Sequence, residues 1–123
     1  MEQIVEEFQE ELEEQFTVSV DFEHCPNFSC RVDVQELRRI FDNLSSNVRK
    51  YADPTKPVTL SVGLENGGLL IRQTNAVLPE KPQSESYQIG LNSIRRIAQH
   101  YGGSVAVEEN SMAFSITIIL SQI

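Results

Sequence analysis

Asn43, Asn47 and Lys50 stand at intervals of four and three in the stretch FDNLSSNVRKYA, residues 41–52. Asparagine is a weak helix former because its amide competes for backbone hydrogen bonds. Yet the surrounding positions describe a well-formed amphipathic helix. On a helical wheel Leu37, Ile40, Phe41, Leu44, Val48 and Tyr51 fall within about 100°, an apolar stripe suited to a core. Asn43, Asn47 and Lys50 lie together on a narrow arc beside that stripe. Arg38, Asp42, Ser45 and Arg49 fall on the far side, expected to face water. A neutral amide oxygen at a core border is a hard ligand of the kind Mg²⁺ accepts, and that ion takes few protein oxygens when phosphates supply the rest. A lysine one turn further on is placed to meet those phosphates. The same spacing also suits side chains that cap neighbouring loops, and spacing alone leaves both readings open.

A second stretch, YQIGLNSIRRIAQHYGG at residues 87–103, puts Gly90 at the expected mouth of a helix. Glycine there lets backbone N–H groups approach an anion, which the positive end of a helix favours. A glycine before a helix is equally an ordinary turn. Two such motifs in this order, separated by a hairpin and a long loop, are far more specific than either alone.

The rest of the composition narrows the choice. The formal net charge of −8 argues against broad binding to a phosphate backbone, while leaving room for a local anion site. Seven glutamates fall within the first 14 residues, a run that reads as a solvated helix face. Cys25 and Cys30, with His24 and His100, lack the compact ligand pairs of a zinc site and fit free thiols in a reducing compartment. No apolar run approaches the ~20 residues of a membrane span, and the acidic start is unlike a signal peptide. A length of 123 residues suits one soluble domain with one core, residues 1–123.

The elements that must position these residues follow from periodicity. Ile4, Val5, Phe8, Leu12 and Phe16 recur at helical spacing over 2–15. TVSVDF, 17–22, alternates as a half-buried strand, and Pro26-Asn27 marks a loop. Asp33 with Glu36 has the spacing of a capping box, opening a helix that runs to about Tyr51 and stops before Asp53-Pro54. Residues 57–64 and LLIRQT, 69–74, form a hairpin about Asn66-Gly67-Gly68. Residues 75–88 have no period and read as a loop long enough to serve as a lid. A helix over 90–101 carries Leu91, Ile94, Ile97, Ala98 and Tyr101 on one face and ends at Gly102-Gly103. SVAVEENSMAFSITIIL closes the chain as a hairpin about Glu109-Asn110. This order predicts an α+β fold: a two-layer α/β sandwich, with a mixed sheet of about five strands covered on one face by about three helices.

At this point the sequence resembles a family, the catalytic and ATP-binding domains of bacterial two-component sensor histidine kinases, in the GHKL superfamily with its Bergerat fold. The resemblance runs from about residue 15 to residue 120. IFDNLSSNVRKYA is similar to the N box, NLxxNxxKY. IGLNSIRRIAQHYGG is similar to the G2 region, and AFSITIIL to the closing strand. The resemblance implies ATP and Mg²⁺ as cofactors. It implies Asn47 as the Mg²⁺ ligand, Asn43 as its neighbour facing phosphates and metal, and Lys50 as a phosphate contact. Tyr51 would flank the nucleotide, Asn75 would meet adenine, Gly90 and Leu91 would form the G2 element, and residues 76–88 the ATP lid. Hydrolytic relatives carry a glutamate where this chain has Asn43, and an amide cannot act as that base, so the implied activity is phosphotransfer.

Three departures stand beside the resemblance. The DxGxG box is replaced by Asn75-Ala76-Val77, a neutral amide where the family has a carboxylate. Gln88 stands in place of the first G2 glycine. No phosphoacceptor histidine is recognisable, since neither His24 nor His100 has the family's flanking pattern. The resemblance then implies a separate dimerisation domain bearing that histidine, a response regulator reached through it, and a homodimeric parent. That parent would be anchored in the membrane with this domain cytoplasmic and touching neither membrane nor nucleic acid. Residues 1–15 read either as the linker helix from the dimerisation domain or as a packed first helix. The isolated domain would not autophosphorylate. A nucleotide-impaired interaction module and an anti-sigma-factor serine kinase share the fold and remain as alternatives.

Overall fold

The computed structural model describes residues 2–22, 32–65, 68–78, 85–110 and 112–121. Expectations concerning His24, Cys25, Cys30, the Asn66-Gly67 turn, the middle of the lid and the Gln88 side chain lie outside the described residues. The elements in order are α1 (Glu2–Glu13), β1 (Val18–Phe22), α2 (Val34–Tyr51), β2 (Val58–Glu65), β3 (Gly68–Ala76), α3 (Glu85–His100), β4 (Ser104–Glu109) and β5 (Ala113–Leu120). The five strands form one sheet in the order β1-β2-β3-β5-β4. β1 and β2 are parallel and the other pairings antiparallel, so the sheet is mixed as expected. A parallel pair needs a long crossover, and α2 supplies it.

Burial alternates along β3 and β5, which puts Ile71, Ile116, Ile118 and Leu120 on the inner face while Arg72 faces out. Against that face lie Ile40, Leu44 and Val48 of α2 and Ile94, Ile97 and Ala98 of α3. Ile4, Val5, Phe8 and Leu12 of α1 join the same core, and the Phe8 ring meets Phe41 edge-on with centroids 5.7 Å apart. Each fully buried leucine or isoleucine contributes roughly 1.5–3 kcal/mol relative to exposure. This one cluster is therefore what holds the two layers together.

α1 changes the expected surroundings of α2. Arg38 pairs with Glu7 and Arg49 with Glu11, so α1 covers part of the face predicted to meet only water. These exposed pairs set orientation more than stability. Ser45, expected on the same wet face, is instead 1% exposed. Its hydroxyl donates to the Asp42 carbonyl at 3.1 Å, which makes burying it inexpensive.

Two helix boundaries differ from the periodicity reading. α3 starts at Glu85, five residues earlier than expected, because Glu85 to Gln88 extend the helix despite lacking an apolar period. β3 extends through Ala76, because Asn75 pairs with Phe114 and Ala76 with Ala113. Ladder pairing on β5 overrides the poor strand propensity of asparagine.

The C-terminus of α3 is fixed twice. Gly102 has φ 66°, and the Gly103 and Gly102 N–H groups donate to Ala98 and Gln99 at 2.8 and 3.0 Å. That is the double bond of a Schellman cap. Side chains add the second tie. Asp33 caps α2, accepting from Gln35 N–H at 2.7 Å. The expected return bond from Glu36 is not made. The Asp33 N–H donates to the Tyr101 hydroxyl at 2.9 Å, and that hydroxyl donates to Glu36 Oε1 at 2.8 Å. His100 Nδ1 stands 3.3 Å from Glu36 Oε2. Glu36 has thus turned from its own helix end to the end of α3.

Partial burial, and then the Glu36 carboxylate, push the Tyr101 phenol above its ordinary value of 10.0, with the Asp33 N–H working the other way. A folded-state pKa raised in this way gives stability that is complete below about pH 10 and is lost as pH rises through the folded value. Tyr101→Phe is expected to lower unfolding free energy by about 1 kcal/mol at neutral pH. The difference from wild type narrows above pH 10, and urea titration at both pH values measures it.

Gly103 has a different constraint. A Cβ built there would lie 1.7 Å from the Ile119 carbonyl oxygen, a backbone atom that cannot step aside. Gly103→Ala is expected to destabilise the fold by about 3 kcal/mol, read as a fall in urea midpoint at unchanged slope.

Candidate functional site

The asparagine arc of α2 sits where the wheel places it, at the edge of the core. Asn43 is half-buried, Asn47 is 8% exposed and Lys50 is exposed. The apolar stripe forces this. With Ile40, Leu44 and Val48 fully buried against the sheet, the neighbouring arc falls at the rim of the same packing. Tyr51 is half-buried and packs on the core margin.

Backbone bonds join this end of α2 to the end of β3. The Asp53 N–H donates to the Ala76 carbonyl at 2.9 Å, and the Leu78 N–H to the Tyr51 carbonyl at 3.0 Å. Ala52 and Val77 form an isolated bridge between the same segments. Asn75, the penultimate residue of β3, is thereby held beside the helix end that bears Lys50 and Tyr51.

α3 supplies the third wall. Gly90 is the sixth residue of α3 and not at its mouth, a correction that follows from the earlier start of the helix. Its role is close packing. A Cβ at position 90 would come 3.2 Å from Asn43 Oδ1, so the missing side chain is what lets the two helices meet at that amide. Leu91, next to it, is 3% exposed and belongs to the core cluster. The structure therefore brings Asn43 and Gly90 together, and ties Asn75 to the Lys50–Tyr51 end of α2.

Two buried side-chain atoms have no hydrogen-bond partner among the described residues: Asn47 Nδ2 and Gln73 Oε1. Asn47 was expected as a functional residue and Gln73 was not. The signal was there, since Leu69, Ile71, Gln73 and Asn75 alternate along β3 and put a glutamine on the inward face. Gln73 Nε2 donates to Asn75 Oδ1 at 2.7 Å, and Asn75 Nδ2 donates to the Ala76 carbonyl at 2.9 Å. Asn75 thus already uses its oxygen once within the chain.

No group of three or more histidine, cysteine, aspartate or glutamate side chains able to hold a metal occurs among the described residues. A metal here would rest on a neutral amide oxygen, with the balance of its ligands coming from an anionic partner. Leaving one buried polar atom unpaired costs about 1–3 kcal/mol, comparable to the gain from burying one leucine. Asn47→Leu is accordingly expected to raise the stability of the ligand-free chain by about 1 kcal/mol in urea unfolding. Destabilisation of that size would show instead that the Asn47 amide is satisfied.

No protein-family model matches the chain. It is 29% identical over 105 residues to the sensor histidine kinase YrkQ of Bacillus subtilis (strain 168), covering 85% of this chain and 24% of that protein. The chain thus spans about a quarter of that relative's length. Among solved structures, it matches the Acinetobacter baumannii histidine kinase AdeS at TM-score 0.77 and 14% identity, covering 98% of this chain and 64% of that one. The nucleotide-free catalytic domain of histidine kinase ThkA matches at TM-score 0.74 and 14% identity, over 97% of this chain and 93% of that domain. A histidine kinase from Burkholderia phymatum STM815 matches at TM-score 0.72 and 13% identity, over 98% and 66%. The two-layer sandwich, the mixed five-stranded sheet and these likenesses agree, and the chain has the fold of histidine kinase catalytic domains.

Proposed function

We propose that this chain is the ATP·Mg²⁺-binding catalytic domain of a sensor histidine kinase, presenting the γ-phosphoryl group to a histidine on a separate dimerisation domain. The observation that carries the reading is Asn47: buried, on the core border, and holding an amide N–H group that nothing among the described residues accepts. A phosphate-bound metal suits that amide on both sides, with the oxygen toward the cation and the N–H toward an anionic oxygen. Asn47 is then the residue that holds Mg²⁺, and the ion, when bound, neutralises phosphate charge.

The other residues divide the remaining work. Lys50, exposed at the same rim, meets phosphate, and Asn43, packed closely against Gly90, faces the phosphates. Leu91 anchors that part of α3 in the core. Tyr51 flanks the nucleotide, and Asn75 meets the base. An accepting imidazole is itself the nucleophile, so this chain needs to supply no general base, and its contribution is positioning. In the same reading the parent is a membrane-anchored homodimer with this domain on the cytoplasmic side, and the phosphoryl group passes to a response regulator.

One observation favours a second reading, an interaction module that keeps the fold without nucleotide. Asn75 Oδ1 is already engaged by Gln73, at the position where the first reading wants an acceptor for adenine.

Calorimetry with ATP, with and without Mg²⁺, separates the two. The expected result is Mg²⁺-dependent binding that Asn47→Ala weakens at least tenfold. It should be matched by thermal stabilisation of wild type equivalent to about 2.7 kcal/mol at ligand near 100 times Kd. No heat and no thermal shift at millimolar ATP would establish the interaction module.

A further inference from the structure

β4 is an edge of the sheet, and its neighbours fix which way its backbone groups point. In an antiparallel ladder, bonded and non-bonded pairs alternate. The Val77 N–H donates to the Met112 carbonyl at 3.0 Å, in the register that pairs Ala76 with Ala113. The even-numbered residues of β5 therefore bond to β3, and its odd-numbered residues to β4. The Asn110 N–H agrees, donating to the Ala113 carbonyl at 3.0 Å. Ser104, Ala106 and Glu108 stand opposite Ile119, Thr117 and Ser115, so their N–H and C=O groups are the ones used on β5. Those of Val105 and Val107 point out from the edge, and no partner for them occurs among the described residues.

The side chains of the same two residues point inward. Val105 pairs with Ile118 and Val107 with Ile116, which are fully buried, yet both valines are only half-buried. The core thus stops at this edge with two apolar side chains partly open. Ser104, Ala106 and Glu108, on the other face, are exposed. Sheet edges are usually blunted by charge, proline or a bulge. Here the carboxylates stand only at the end of the strand, at Glu108 and Glu109, and SVAV carries none.

We propose that β4 is a self-pairing edge: two copies of this chain join β4 to β4, antiparallel, about a two-fold axis at Ala106. In this register Val105 of one copy lies opposite Val107 of the other, on both sides of the axis. Both residues present outward backbone groups, so each pair exchanges its hydrogen bonds. Their side chains meet on the inner face and carry the core across the axis. On the outer face Ala106 meets its own copy, and Glu108 lies opposite Ser104. Parallel pairing in register would set Glu108 against Glu108, which is destabilising. A shift of one residue would set outward groups against groups already used on β5. A shift of two leaves Val107 opposite Gly103 or Val105 opposite Glu109. The contact is narrow, so the dimer is weak and forms as concentration rises. It uses the same edge of both copies and does not extend to a third. The asparagine arc lies on α2, with α3 between it and this edge, so pairing leaves it open.

Sedimentation equilibrium of the 123-residue chain from micromolar to millimolar concentration tests this, with thermal denaturation to confirm that each variant folds. Wild type is expected to pass from monomer to dimer. Ala106→Lys keeps every backbone bond but sets two ammonium groups against each other at the axis. It should raise the dimer dissociation constant about fivefold. Ser104→Lys places an ammonium group opposite Glu108 and should tighten the dimer about threefold, an effect lost at high salt. Val107→Pro removes an outward N–H that β5 does not use, and should abolish the dimer. If that variant fails to fold, Ala106→Lys decides alone. A wild-type chain that stays monomeric at millimolar concentration overturns the inference. So does a dimer that Ala106→Lys and Val107→Pro leave unchanged, since its contact then lies on another surface.

Discussion

The apolar stripe of α2 fixes where everything else can be. α2 is the crossover between the adjacent parallel strands β1 and β2, and its stripe packs on the sheet, with Ile40, Leu44 and Val48 fully buried against the inner face. Once that stripe is seated, rotation of the helix about its own axis is no longer free. The arc bearing Asn43, Asn47 and Lys50 then has one place to go, the rim between the helix layer and the sheet. A site made of weak helix formers is tolerated because eighteen residues of α2 share the cost and the stripe contributes several times more. The chemistry of the rim is thus carried by the packing beside it.

The rim also shows where stability is given up. Asn47 Nδ2 and Gln73 Oε1 are one donor and one acceptor, each buried and each without a partner among the described residues. They sit on different elements and have opposite hydrogen-bonding character.

Much of this was readable in the sequence. The helical period of α2 and α3, the alternation of β1 and β2, the Asp33 cap and the Gly102-Gly103 stop all depend on short-range rules, and the structure follows them. The misreadings have separate causes. Asn75-Ala76 extend a strand because they pair with Phe114 and Ala113, neighbours distant in sequence that no local pattern contains, whereas the helix at Glu85 to Gln88 has no apolar period to announce it. Ser45 is buried because its hydroxyl finds a carbonyl three residues back, so polarity alone misplaced it. The capping box at Asp33 and Glu36 was half right, since a tyrosine 65 residues beyond Glu36 took its carboxylate. Gln73 was legible and overlooked: a glutamine at an inward position of an alternating strand is a polar group that has to be accounted for. The roles of Asn43, Lys50, Tyr51 and Leu91 rest on likeness to the kinase pattern, which periodicity cannot supply.

The ties at the end of α3 have a geometric consequence at its other end. Gly102, Gly103 and Tyr101 hold the C-terminus of a 16-residue helix to β5 and to the start of α2. Gly90 lies ten residues up that helix from His100, about 15 Å away. With the far end acting as a pivot, a tilt of about 5° displaces Gly90 by roughly 1.3 Å. The clearance at Asn43 is itself only a few tenths of an ångström short of ordinary contact for an added Cβ. Angular precision at Asp33, Glu36 and Tyr101 therefore becomes positional precision at the asparagine arc. The width of the gap between α2 and α3 is set by residues that never touch it.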